Sequence, residues 1–77
     1  MYYKFELENG VIKYYEVEKF CPSYRGKKYK ITLRCIGLLV DGKFLERTGY
    51  FQQCCLKKEY FDRFEQITQS EIFTLMI

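Results

Sequence analysis

Seventy-seven residues with a net charge of +3, 48% of them apolar and none of them histidine, bound one small domain and exclude several kinds of protein at once. The chain is too short for a second domain, too apolar for a disordered one, and has no run near the ~20 apolar residues of a membrane span. Residues 1–77 are therefore expected to form a single compact domain, and the lack of a signal peptide at the start makes a cytoplasmic location the expectation.

A chain of this size buries only about 60–65% of the surface that its unfolded form exposes. Eight Tyr and seven Phe compensate, because large rings bring the most apolar area per residue.

Tyr2 to Glu8 alternates as a strand does, with Tyr3, Phe5 and Leu7 on one face. Asn9-Gly10 reads as a two-residue type I′ turn, which sets Leu7 opposite Ile12, Phe5 opposite Tyr14 and Glu6 opposite Lys13. Beyond Tyr14 that register places Glu16 and Glu18 on the apolar face. A β-bulge near Tyr14-Tyr15 is expected to turn Tyr15 and Val17 inward.

Phe20 to Lys28 reads as a loop, since Pro22 lacks a ladder donor and Ser23 and Gly26 favour turns. Tyr29 to Val40 and Lys43 to about Gln53 read as a second hairpin about Asp41-Gly42. Its register sets Leu39 opposite Phe44, Cys35 opposite Thr48 and Leu33 opposite Tyr50. One face then carries Ile31, Leu33, Cys35, Leu39, Phe44 and Tyr50, and is the expected core. The other carries Lys30, Thr32, Arg34, Arg47 and Phe51, with Ile36, Leu38 and Leu45 nearer the turn. Gly37 and Gly49 mark bends or close approaches.

From about Cys55, Leu56, Tyr60, Phe61, Phe64 and Ile67 recur at helical spacing, which predicts a helix ending near Thr68 to Ser70. It should cover the Ile31, Leu33 and Tyr50 face. Ile72 to Ile77 has high β-propensity and no charge, and reads as a closing fifth strand or a docked tail. Left exposed, residues 72–77 would offer a homodimer contact. The expected fold is thus α+β: two consecutive antiparallel hairpins, then one amphipathic helix on the sheet.

Catalytic chemistry is sparse. Without His the commonest general base and metal ligand are missing, Ser23 and Ser70 sit in no nucleophile elbow, and no glycine spacing makes a phosphate loop. Cys21, Cys35, Cys54 and Cys55 lack paired zinc-ligand spacing and read as reduced thiols. A non-enzyme without cofactor, metal or small-molecule substrate is the expectation.

Charge is the positive signal. Residues 19–58 hold ten Lys or Arg against Asp41 and Glu46, net +8, between an N-terminal stretch at −2 and a C-terminal one at −3. Tyr24, Arg25, Lys27, Lys28, Lys30, Arg34, Arg47 and Phe51 are the candidate contacts, cations for phosphates and rings for unpaired bases. Three strands and a helix with GYFQQCCLKKEY at their junction resemble the arm-type DNA-binding domains of phage integrases, over about half the chain. That resemblance implies a sheet face on DNA. The first reading is a binding module for nucleic acid or a nucleoprotein. The alternative is a phage or mobile-element inhibitor, of anti-defence or anti-CRISPR type, gripping a host nuclease complex through Ile36, Leu38 and Leu45.

Overall fold

The structure, a computed structural model, describes residues 1–22 and 27–77. Among them β1 (Tyr2–Glu6), β2 (Ile12–Pro22), β3 (Lys28–Val40), β4 (Lys43–Glu46), β5 (Gln52–Lys57) and β6 (Glu65–Ile67) form one sheet, joined by two short helices, α1 (Lys58–Phe61) and α2 (Gln69–Met76). Strand order is β4-β3-β2-β1-β6, every pairing is antiparallel, and β5 shares the outer edge of β3 with β4. This overturns the expected four strands and one long helix: the chain is mostly sheet.

Both hairpins form, one with a different turn. Asp41 and Gly42 take φ of 50° and 78°, the two positive values of a type I′ turn, and Leu39 faces Phe44 as expected. At the first hairpin only Gly10 has positive φ, 84°. The Leu7 N–H donates to the Val11 carbonyl and the Gly10 N–H to the Leu7 carbonyl, so the loop has three residues and ends in a bulge-forming Gly. The register moves by one: Phe5 faces Lys13, Glu6 faces Ile12 and Tyr3 faces Tyr15. That shift alone turns Tyr15 and Val17 onto the Tyr3 and Phe5 side.

A bulge does occur beside Tyr14 and Tyr15, but in the pairing with β3. Tyr14 faces Gly37 and Tyr15 faces Cys35, which leaves Ile36 as an extra residue on β3. At the same level the outer edge breaks. Glu46 pairs Gly37 and Gln52 pairs Leu33, so five residues, 47–51, pass opposite three. Leu33 consequently meets Gln52 rather than Tyr50.

These breaks divide the core between two faces. On one, Tyr14, Ile36, Ile67 and Ile72 pack with Tyr2, Ile12, Leu39, Phe44 and Leu75 under α2. On the other, Val17, Ile31 and Phe61 pack with Tyr3, Tyr29, Leu33, Leu56 and Phe64 under the α1 segment. The expected single core face mixed the two sets. Phe61 lies 5.1–5.6 Å, ring to ring, from Phe64, Tyr3, Phe20 and Tyr29, and such pairs contribute about 0.5–1.5 kcal/mol each beyond burial.

The long helix fails because the chain must cross the sheet. From Lys57 on one edge to Glu65 on the other are four strand spacings, about 19 Å. Eight helical steps of 1.5 Å reach only about 12 Å. One turn of helix and a tight bend instead drop Phe61 and Phe64 onto the α1 face. The terminal segment is helical rather than a strand: the Glu71 N–H donates to Thr68 Oγ1 at 3.2 Å, half of a capping box, and Ile72 is buried.

Thr68→Ala is expected to lower unfolding free energy by about 1 kcal/mol, read as a lower urea midpoint at unchanged slope. Burial, reinforced by Cys35, Tyr60 and Cys54, pushes the Tyr15 phenol up to about 12. Its folded-state value is raised, so its contribution is complete below the unfolded value of about 10 and lost as pH rises from there toward 12. Urea midpoints across that window should fall, and fall less for Tyr15→Phe.

Candidate nucleic-acid interface

Beyond Val17 and Leu33 the sheet narrows to β2, β3 and β5, with β3 central. Its α1 face is covered by Phe61 and Phe64. On the α2 face of this end, alternation and pairing lay out cross-strand rows: Glu16 beside Arg34, Lys19 beside Thr32 and Gln53, Cys21 beside Lys30 and Cys55, and Lys28 beside Lys57. No described helix lies over these rows, because α2 packs at the opposite end of that face. Neighbouring rows stand about 6.8 Å apart along a strand and neighbouring strands about 4.8 Å apart, so the cations form a grid.

The grid is strongly one-signed. Lys19, Lys28, Lys30, Lys57 and Arg34 share it with Glu16, while Glu18 is the extra residue of a second bulge at its margin. Arg34 is held on two sides: its Nη2 and Nε lie 2.6 and 2.8 Å from Glu16 Oε1, and its guanidinium sits 4.9 Å from the Phe51 ring centre. A carboxylate on one side and a ring on another fix the guanidinium plane. Lys27, Lys57 and Glu59 line an open hollow with Lys28 at the sheet's end.

The structure thus brings together Lys28, Lys30, Arg34 and Phe51 of the sequence-derived set, with Lys27 at the border. Tyr24 and Arg25 lie outside the described residues. Arg47 departs: it sits in the break between β4 and β5, its Nη1 donates to the Glu46 carbonyl, and it lines a hollow with Lys13, Cys35 and Leu38. Leu38 and Leu45 pair across β3 and β4, but Ile36, 8% exposed, belongs to the α2-face core, so those three do not form one patch. Tyr50, expected inside, is 88% exposed. Of the segment proposed as a dimer contact, Ile72 and Leu75 face the core while Phe73, Met76 and Ile77 stay exposed.

Lys19 and Lys57 were not among the sequence candidates. Lys19 reaches the grid only through the bulge between Val17 and Lys19, and Lys57 only because β5 continues where a helix was expected. Of the acidic C-terminal stretch, Glu65 and Glu71 lie elsewhere, 3.9 and 3.7 Å from Lys4, whereas Glu59 lines the hollow beside Lys28 and Lys57. No helix among the described residues is long and apolar enough to cross a membrane.

No protein-family model matches the chain, and comparisons with curated proteins and with solved structures find no match. In the segment that carries the integrase resemblance, β5 continues through Cys54 and Cys55 to Lys57, and the helix after it has only four residues, Lys58–Phe61.

Ile36→Asp buries a charge beneath α2 and should abolish the cooperative unfolding transition, whereas Leu38→Asp should shift its midpoint only slightly. Circular dichroism during heating distinguishes the two.

Proposed function

We propose that the protein is a non-catalytic module that binds nucleic acid on the three-stranded end of its sheet. Lys19, Lys28, Lys30 and Lys57 contact phosphates, and Arg34 and Phe51 form a rigid polar and aromatic centre. The observation that supports this most is the placement of Lys28, Lys30 and Arg34 on the central strand. Lysines on an edge strand discourage stray pairing; on a central strand facing outward they guard nothing. The rows of this face carry five cations against Glu16, a net positive field that an anionic partner would neutralise.

Each phosphate neutralised releases counterions, so affinity depends on the number of cations engaged. Four lysines predict a slope of log K against log salt near about −3 for single strands and about −3.6 for duplex. Fluorescence anisotropy with DNA and RNA of both kinds measures it. Lys30→Ala should reduce the slope by about 0.7–0.9, and Arg47→Ala, in the break and beside Lys13 and Leu38 rather than on the grid, should leave it unchanged. A salt-insensitive isotherm, or equal losses from both variants, would refute the reading.

A further inference from the structure

The lysine grid contains two thiols. Cys21, Lys30 and Cys55 form one row across β2, β3 and β5, and both cysteines are exposed. Directly paired residues place their Cβ atoms about 4.5–5.5 Å apart, so each thiol neighbours the Lys30 ammonium stem. The two thiols stand two strand spacings apart, about 9.6 Å between Cα atoms, beyond the ~7 Å limit for a disulfide between them. Each remains open to an external reagent. Cys35 and Cys54 differ: both are half-buried on the α1 side of the sheet, where Cys54 faces Ile31. Burial, together with the Cys55 thiol, also pushes the Cys54 thiol up.

We propose that Cys21 and Cys55 are a paired modification site for anionic low-molecular-weight disulfides, and that modification there closes the cationic face. The step is thiol–disulfide exchange. A thiolate, its proton released to solvent, attacks one sulfur of the disulfide; a protein–S–S–R bond forms, the original S–S bond breaks, and the departing RS⁻ carries away the electron pair and is protonated. The disulfide is reduced as the protein thiol is oxidised, and no further reactant enters. Lys30 and its neighbours raise the local concentration of an anionic disulfide and stabilise the negative charge that develops during exchange. Two bound anionic groups then occupy the middle of the grid. This second consequence rests on the nucleic-acid reading; the first does not.

Glutathione disulfide is the probe, with uncharged 2-hydroxyethyl disulfide as its control, and peptide mapping by mass spectrometry reads the sites. Cys21 and Cys55 should be modified first, with Cys35 and Cys54 spared. Lys30→Glu should slow exchange with glutathione disulfide by about 3–10-fold while leaving the uncharged reagent within about 2-fold. Equal labelling of all four cysteines, or equal slowing with both reagents, overturns the site. Oligonucleotide anisotropy then compares unmodified, doubly glutathionylated and iodoacetamide-capped protein. At least a tenfold loss on glutathionylation, with the neutral cap nearly harmless, supports the closing effect. Unmodified protein that does not bind sinks the nucleic-acid reading and with it the closing effect, while the exchange result stands. Equal binding by unmodified and glutathionylated protein sinks the closing effect alone.

Discussion

The structure depends on one unpaired residue. Because Tyr14 faces Gly37 and Tyr15 faces Cys35, Ile36 has no counterpart in β2, and the phase of side-chain alternation along β3 reverses there. On the far side Ile31 and Leu33 point toward α1; on the near side Ile36 and Leu39 point toward α2. Without the extra residue the odd-numbered positions Ile31, Leu33, Cys35, Gly37 and Leu39 would all share a face. The backbone is close-packed at this level. A Cβ on Gly37 would stand 2.2–2.9 Å from ring carbons of Phe44, and one on Gly49 would stand 2.7 Å from the Cys35 carbonyl oxygen. Glycine lets a ring and a neighbouring strand approach where the ladder is broken.

A reversal of this kind requires two covers instead of one. The 58–64 crossing supplies aromatic rings to one face, and α2 supplies Ile72 and Leu75 to the other. Two opposite quarters of the sheet are therefore covered and two are open. Openness shows in the shape: extents of 40 × 24 × 19 Å and an accessible surface of 5785 Å², against about 5,000 Å² expected of a compact chain of this mass. Charge follows the same division. Lys4 on the covered half of the α2 face meets Glu65 and Glu71, while the lysines lie toward the far end. Exposed ion pairs are worth only about 0–1 kcal/mol, so this separation does more for the external field than for stability.

What the sequence revealed follows from how local each determinant is. Asp41-Gly42 sets its turn through its own backbone angles, and Leu39 opposite Phe44 comes directly from it. Asn9-Gly10 misled by one residue because only Gly10 takes positive φ, and a three-residue loop uses the same dipeptide. Leu56, Tyr60, Phe61, Phe64 and Ile67 do repeat at helical spacing, yet they are distributed over a strand, a single turn and another strand. The distance across the sheet decided that, and no local pattern encodes it. Thr68 and Glu71, spaced as a Thr-x-x-Glu cap, start a helix where the predicted one was expected to end. Lys30 and Arg34 share an outward face under either register. Lys19 and Lys57 needed the bulge and the β5 continuation, both tertiary facts.

Two quarters of the sheet remain uncovered, and they are not equivalent. One presents Leu38 and Leu45 beside Lys13 and Arg47. Leu38 is half-buried and Leu45 42% exposed, a pair far smaller than the few hundred Å² of contiguous apolar surface that ordinary monomers carry. The other presents four lysines, two thiols and the Arg34 guanidinium, already oriented by Glu16 and Phe51. Desolvating the first quarter would bury little area in any partner. Desolvating the second would bring a dense positive grid against whatever neutralises it, with a rigid centre to fix registration. No described helix covers this quarter, and its apolar contact is the Arg34 guanidinium on the Phe51 ring. Under the reading proposed above, an anionic partner would neutralise the charge of this quarter.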